Sequence, residues 1–336
     1  MQDLPAPAPA QAAAVPPGRP SRPATLSCVI PCFNEARNLA LLLPRLREVL
    51  PECADAWEVV LVDDGSTDAT ALLCQTWAAE PGFRALLLSR NFGKEAALTA
   101  GLAAAAGDVV VMMDADLQHP PELLRTFVEH WQRGAQVVYA VREDRRDEAA
   151  FKRVGTRWFY RLINAAARFE LPPGAGDFRL MDRPVVEALL SLPERNRFMK
   201  GLYAWVGFPS VAVPYVPASR AHGQTHFGAL RLIRFSLDGL TAFTTWPLRT
   251  VSALGAIMAV VSILYGVYEV VAYFLYGNEV SGWATIVVGL MFLSGMQMIS
   301  LGIVGEYVGR IFEEVKGRPL YVVRQQAGQG LPPRLR

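Results

Sequence analysis

Between residues 25 and 141, short unbroken apolar runs alternate with helical stretches. The runs TLSCVIPCF, WEVVLVDD, FRALLLS, DVVVMMD and AQVVYAV read as five strands buried on both faces. Between them the sequence predicts helices over 36–50, 68–80, 94–106 and 121–132. Such alternation predicts an α/β architecture with a mostly parallel, doubly wound sheet. Right-handed crossovers would then bring the carboxyl ends of the strands to one edge, where ligands bind in open sheets of this kind.

Polar residues, mostly acidic, arrive at that edge. The first strand runs into Asn34 and Glu35, the second into Asp63, Asp64, Gly65 and Ser66. The third runs into Arg90, Asn91 and Gly93, and the fourth into Asp114 and Asp116. An Asp-x-Asp alone also suits a capped loop, but the clustering across four strand ends favours a site. Carboxylates at this address suit a hard divalent cation, Mg²⁺ or Mn²⁺, which completes its shell with substrate phosphates. No Gly-x-Gly-x-x-Gly follows the first strand and no Gly-x-x-x-x-Gly-Lys-Ser/Thr occurs anywhere. Dinucleotide redox cofactors and P-loop phosphoryl transfer therefore lose support, and a nucleotide diphosphate would be held through the cation.

Hydrophobicity concentrates near the other end. Glu269 is the only charged residue in 250–276, and 283–305 holds none. Each run reaches the ~20 residues that a helix needs to cross a bilayer core, although two buried helices of a soluble core share that composition. Arg249 precedes the first run, Arg310, Lys316, Arg318 and Arg324 follow the second, and the connector YGNEVSG carries no base. That asymmetry predicts a two-span transmembrane hairpin with both termini cytoplasmic, in an inner membrane. Upstream, Leu230, Ile233, Leu237 and Leu240 share one helical face, as in an interfacial amphipathic helix or a core helix. The expected divisions are a disordered Pro/Ala-rich tail (1–23), a catalytic domain (24–228), an interfacial region (229–246), the hairpin (247–308) and a cytoplasmic C-terminal tail (309–336).

Composition narrows the classes. Of 336 residues 52% are hydrophobic, and the mean hydropathy of +0.22 is high for a purely soluble chain. A net charge of +2 gives no sequence-wide case for nucleic-acid binding. Cys28, Cys32, Cys53 and Cys74 form no CxxC pair and lie far from the four histidines, which argues against zinc and for a reduced compartment. The N-terminus has no apolar core behind a basic start, so it does not read as a signal peptide.

VIPCFNE, VVLVDDGSTD, LSRNFGKEAAL and MDADLQHPPE, in that order and spacing, resemble glycosyltransferase family 2. FYRLIN, GDFRLMDRPVVEAL and RFMKGLYAWVGF, followed by the hairpin, resemble its polyprenyl-phosphate branch, akin to dolichyl-phosphate mannose synthase and bacterial undecaprenyl-phosphate glucosyltransferases. The resemblance implies a GT-A, Rossmann-like fold and inverting transfer of a sugar from a nucleotide diphosphate to a lipid phosphate. By it, Pro31, Asn34 and Glu35 border the nucleotide pocket, and Asp63 faces base and ribose with Asp64 and Ser66 nearby. Asp114 contacts the ribose or the metal, Asp116 and Gln118 bind the metal and diphosphate, and Arg90 and Lys94 either approach the ligand or are plain surface charges. Asp177 and Arg179 serve the sugar or each other, a buried structural ion pair being the alternative. Arg142, Lys152 and Arg220 meet the lipid phosphate, and His226 either does so when protonated or merely sits at the membrane interface. RAHGQTHFG departs from the branch pattern, with Gln224 and His226 where an acid and a lysine are usual.

The expected donor is UDP-glucose and the expected acceptor undecaprenyl phosphate. UDP-N-acetylhexosamine, a UDP-4-amino-4-deoxy-arabinose derivative and GDP-mannose are the alternatives, and a non-catalytic membrane scaffold is the alternative from another class. A processive synthase loses support because no Gln-x-x-Arg-Trp follows the Asp-x-Asp. The resemblance also implies a homo-oligomer, and two spans are few for translocation, which points to a separate flippase and a downstream periplasmic glycosyltransferase.

Overall fold

The computed structural model describes residues 19–20, 23–142, 175–195, 197–216, 246–276 and 282–332. The chain divides into two units, one made of the sheet with its helices and one dominated by two long helices.

The first unit is built on an eight-stranded mixed sheet. Strands β1 (Thr25–Cys32), β2 (Ala56–Asp63), β3 (Phe83–Leu88) and β4 (Val109–Met112) are parallel neighbours in the order β3-β2-β1-β4. Their apolar side chains are buried on both faces, as the unbroken runs require. The order reverses between β1 and β4, so the crevice expected at such a switch lies beyond Cys32 and Met112. Strand β5 (Val137–Arg142) does not join β4 directly. β6 (Ala175–Asp182) inserts between them, antiparallel to both, and β7 (Ser210–Tyr215) closes that edge parallel to β5. At the other edge β8 (Val323–Gly328), from the expected C-terminal tail, pairs antiparallel with β3.

Helices α1 (Ala36–Cys53), α2 (Thr70–Trp77), α3 (Lys94–Ala104) and α4 (Leu123–Gln132) connect these strands. In α1, Leu39, Leu42, Leu43, Leu46, Val49 and Leu50 make one buried stripe at three- and four-residue spacing. Two shorter helices, α5 (Arg183–Ser191) and α6 (Met199–Trp205), follow β6.

The amino ends of the strands are locked by a buried acid. Glu58 Oε1 accepts from Ser27 Oγ at 2.6 Å and from the Ala106 N–H at 2.8 Å. Ser27 Oγ in turn accepts the Gly107 N–H at 2.8 Å. Glu58 Oε2 accepts the Leu331 N–H at 3.1 Å, and it lies so close to Gly330 that any side chain there would collide with it. One carboxylate thus joins β1, β2, the α3–β4 turn and the segment after β8.

In the second unit α7 (Trp246–Tyr276) and α8 (Trp283–Lys316) pack against each other. At 31 and 34 residues they rise about 46 and 51 Å at ~1.5 Å per residue. Both carry exposed large apolar side chains, among them Ile263, Leu264, Phe274, Met291, Phe292 and Leu301. Among the described residues one stretch, Gly289–Lys316, is long and apolar enough to cross a membrane by length and composition. The interfacial helix expected over 229–246 falls almost wholly outside the described residues.

Glu58→Ala leaves the Ser27 hydroxyl and the Ala106 and Leu331 N–H groups without their acceptor. Thermal unfolding in detergent is expected to show a loss of roughly 3 kcal/mol, at about 1 kcal/mol or more per stranded buried donor. A loss well under 1 kcal/mol would show that this carboxylate does not hold the edge together.

Candidate active site

Three loops at the carboxyl edge are tied to one another before any ligand arrives. After β1 the chain turns through Asn34, which adopts a positive φ of 57°. Asparagine tolerates that conformation, and its side chain serves the turn. Asn34 Oδ1 accepts the Thr67 N–H at 2.8 Å, and the Asn34 N–H donates to Ser66 Oγ at 2.9 Å. The Glu35 N–H donates to Thr70 Oγ1 at 2.8 Å. After β2, Asp64 accepts the Phe92 and Gly93 N–H groups at 2.8 and 2.9 Å, which fastens the β3–α3 loop. Gly65, at φ 68°, lies against that same loop; a Cβ there would sit 2.6 Å from the Asn91 nitrogen. Asp63 differs from its neighbour. One oxygen accepts the Ser66 N–H at 3.3 Å, while Oδ2 is buried and has no hydrogen-bond partner.

The loop after β4 alternates its side chains. Asp114, Asp116 and Gln118 are half-buried, while Ala115, Leu117 and His119 are buried. The Gln118 N–H donates to Asp116 Oδ1 at 3.1 Å. Leu117 takes φ 61°, a conformation that costs a branched residue on the order of 1 kcal/mol. Through this turn Asp114, Asp116 and Gln118 alternate with the buried Ala115, Leu117 and His119. Burial raises the Glu35 carboxyl above its usual range, partly offset by the hydrogen bond from Asn38, and Asp116 and Asp114 raise it further. The edge is therefore a place of convergent negative charge.

The ammonium of Lys94 answers part of it. Lys94 Nζ, at the start of α3, lies 2.6 Å from Asp114 Oδ1 and 2.7 Å from Asp177 Oδ2. Burial alone would lower the Lys94 pKa, but the two carboxylates outweigh it and hold the amine charged. Burial likewise pushes Asp177 up, and Lys94, Lys200 and Arg179 together bring it below the usual carboxylate range. Asp177 Oδ1 remains buried and unpartnered.

Arg179 is buried in β6, its guanidinium 3.4 Å from the centre of the Tyr203 ring. Its Nη2 donates to the Gly176 carbonyl at 2.6 Å, and its Nε has no partner. The ion pair of Asp177 is thus with Lys94 across the sheet edge, and Arg179 is held by an aromatic face and a carbonyl.

The structure brings Asn34, Glu35, Asp63, Asp64, Ser66, Lys94, Asp114, Asp116, Gln118 and Asp177 to this one edge. Pro31 lies inside β1, buried and in register with Val62. Arg142 ends β5 opposite Tyr215, and its Nε is buried without a partner. Burial raises the Tyr215 pKa, Arg142 opposes this, and Asp116 and Asp114 add to it, so Arg142 and the acids address the same surface. Lys152, Arg220 and His226 lie outside the described residues.

Sequence reasoning missed Glu95, Lys200, Tyr203 and His119. His119 is packed between Phe178 and Tyr215, ring centroids 4.9 and 5.3 Å away. Glu95 Oε2 is buried without a partner, and burial, reinforced by Asp177, pushes its carboxyl up to about 8 against the pull of Lys94 and Lys200. A Lys-Glu pair opening a helix at a strand end was the signal available for Glu95.

Two sequence families match the chain. Glycosyl transferase family 2 covers residues 27–190, and the GtrB C-terminal hairpin covers residues 246–311. An uncharacterized glycosyltransferase of Synechocystis sp. is 44% identical over 299 residues, 89% of this chain and 94% of that protein. The SfII prophage-derived bactoprenol glucosyl transferase of Shigella flexneri is 41% identical over 89% of this chain and 97% of its own length. A prophage bactoprenol glucosyl transferase homolog of Escherichia coli is 40% identical over 89% and 98%.

The Glu95 carboxyl sets a direction for stability against pH. Its folded pKa of about 8 lies above its ordinary 4.5, so its contribution is full below 4.5 and fades as pH rises through 8. Glu95→Gln, which mimics the neutral acid, is expected to unfold much like wild type at pH 5 and to be more stable at pH 9, by on the order of 4 kcal/mol. Melting curves of both proteins across that range check this; parallel curves would remove the buried neutral acid.

Proposed function

The chain belongs to glycosyltransferase family 2, and on that premise we propose that it transfers glucose from UDP-glucose to undecaprenyl phosphate with inversion. It is a glycosyltransferase of the branch that carries the GtrB C-terminal hairpin, on a Rossmann-like GT-A α/β fold. The observation that carries the proposal is the convergence of Asp114 and Asp177 on the single ammonium of Lys94, beside Asp116, at the β1/β4 switch. The names of the Shigella and Escherichia relatives support glucose as the sugar and bactoprenol, a polyprenyl lipid, as the carrier.

The donor's parts find complementary groups in order along the edge. Asp63 Oδ2, buried and unpartnered, is suited to accept the ring N–H of uracil. Asp114, Asp116 and Gln118 offer oxygen ligands that suit Mg²⁺ or Mn²⁺. An ammonium already resting between carboxylates shows that this spot favours positive charge. Among the described residues no group of three or more His, Cys, Asp or Glu could hold a metal by itself. The diphosphate would therefore complete the shell. The cation, when bound, would neutralise the diphosphate as it leaves.

The acceptor needs no general base. A phosphate monoester with a second pKa near ~6 is already ionised at neutral pH. What it needs is orientation and relief of repulsion from the donor. Lys94 and Arg142 supply positive charge on the described side, and Lys152, Arg220 and His226 are proposed to continue it toward the lipid. Asp177 holds the Lys94 ammonium in place and, through its unpartnered oxygen, can accept a sugar hydroxyl.

Two features support a two-span hairpin at the cytoplasmic face of an inner membrane. Strand β7 precedes the long helices and β8 follows them, and both belong to one sheet. A chain that leaves the sheet after β7 and rejoins it at β8 is consistent with an even number of crossings, which supports a hairpin. The GtrB C-terminal hairpin match over 246–311 supports two. A separate flippase and a periplasmic glycosyltransferase would then use the product.

Purified protein given undecaprenyl phosphate, Mn²⁺ or Mg²⁺ and a panel of labelled nucleotide sugars is expected to move label into the organic phase from UDP-glucose, and to stop with EDTA. Asp116→Asn is expected to lose at least about a hundredfold in rate, roughly 3 kcal/mol, with an unchanged melting temperature. Transfer by that variant at near wild-type rate would exclude the metal assignment, and label from another donor would replace glucose.

Topology has its own test, because Cys28, Cys32, Cys53 and Cys74 are all buried. Asn278→Cys, in the connector, is expected to react with an impermeant maleimide added outside intact cells. Labelling only after lysis would refute the two-span reading.

A further inference from the structure

The ammonium of Lys94 does more than neutralise. It bridges the first acid of the Asp-x-Asp loop and an acid of β6, at 2.6 and 2.7 Å. Both carboxylates commit one oxygen to it, and Asp114 is one of the two acids proposed to hold the divalent cation. A carboxylate oxygen that hydrogen-bonds an ammonium at this distance is not open to a metal, and the two positive charges repel at such range.

The anchoring of Lys94 makes displacement feasible. Its backbone follows Gly93, at φ 98°, whose N–H is fixed by Asp64 at 2.9 Å. The side chain beyond that fixed point is 44% exposed, whereas Asp114 and Asp177 are 26% and 12% exposed. The lysine can swing while helix and acids stay. When it leaves Asp114 it still has Asp177, and an incoming diphosphate offers a further anionic partner on the same edge.

From this we propose that Lys94 is an internal counter-ion that keeps the divalent cation out of the Asp114–Asp116 pair until a nucleotide diphosphate draws the ammonium away. The inference rests on the metal-assisted reading above and deepens it. The free enzyme holds its acidic edge neutralised by its own side chain. Cation and nucleotide then bind together, each favouring the other, because the diphosphate supplies both a metal ligand and an alternative partner for Lys94.

Mn²⁺ binding, read from the loss of the free-ion electron paramagnetic resonance signal with no lipid and no turnover, tests this on the full-length protein in detergent. Lys94→Met is expected to bind Mn²⁺ alone at least tenfold more tightly than wild type. Lys94→Arg, which keeps the charge, is expected to stay within about threefold of wild type. UDP is expected to tighten Mn²⁺ binding strongly in wild type and much less in Lys94→Met. Lys94→Gln repeats the test should Lys94→Met prove unfolded by its melting curve.

Equal bare Mn²⁺ affinity in wild type and in both neutral variants would overturn the proposal. If wild type meanwhile transfers glucose in a metal-dependent way, only the counter-ion role falls. If Asp116→Asn binds Mn²⁺ with UDP as wild type does, the metal site itself is misplaced and both readings fall.

Discussion

Like charges gathered at one edge of a sheet repel, and this protein is organised around holding them together. Strand order brings Asp63, Asp114 and Asp116 to one edge, and β6 adds Asp177 from the antiparallel direction. Nothing in the packing of the apolar core favours that outcome. It persists because the loops are tied by backbone donors, Phe92 and Gly93 to Asp64 and Thr67 to Asn34, and because one ammonium sits between two of the acids. Without Lys94, Asp177 would be buried with a formal charge and weaker compensation, a costly arrangement for any carboxylate.

The opposite edge shows what the same residue type does when it is structural. Glu58 is fully buried and both of its oxygens are used, by a hydroxyl and by main-chain N–H groups from distant segments. Asp63 and Asp177 each keep one buried oxygen without a partner. Native proteins rarely leave such atoms unsatisfied, and the donor binding proposed above would give each of these two a partner. The contrast between satisfied and unsatisfied acids within one sheet separates scaffold from site more sharply than burial does, since Glu58 and Asp63 are equally hidden from water.

The parts legible in the sequence are those whose neighbours are local or whose environment is uniform. β1 to β5 stand out because a strand covered on both faces must be apolar throughout, and their end residues follow from topology. β6 was hidden because AGDFRLMD mixes acid, base and apolar residues. Its Arg179 is tolerated in the core because Tyr203, 24 positions on, presents a ring to it and the Gly176 carbonyl accepts from it. β8 was hidden for another reason: VRQQAG has no apolar pattern, being an edge strand held mainly by main-chain pairing with β3. Within the site, the acids were legible as types at strand ends. The partnership of Lys94 with Asp177 was not, because it joins residues 83 positions apart through a strand insertion that the sequence does not announce.

That late strand bears on how the protein meets a membrane. A chain that ended after its long helices would leave their direction to be set by flanking charge alone. Here the segment after α8 returns to β3, and Leu331 reaches Glu58 at the amino-end edge of the sheet. Folding of the first unit is therefore complete only when the residues after the helices have come back to the side where β7 left. Loss of that return would cost the edge strand and a buried hydrogen bond together. The sheet that carries Asp63, Asp114 and Asp177 is thus completed by residues from both before and after the two long helices.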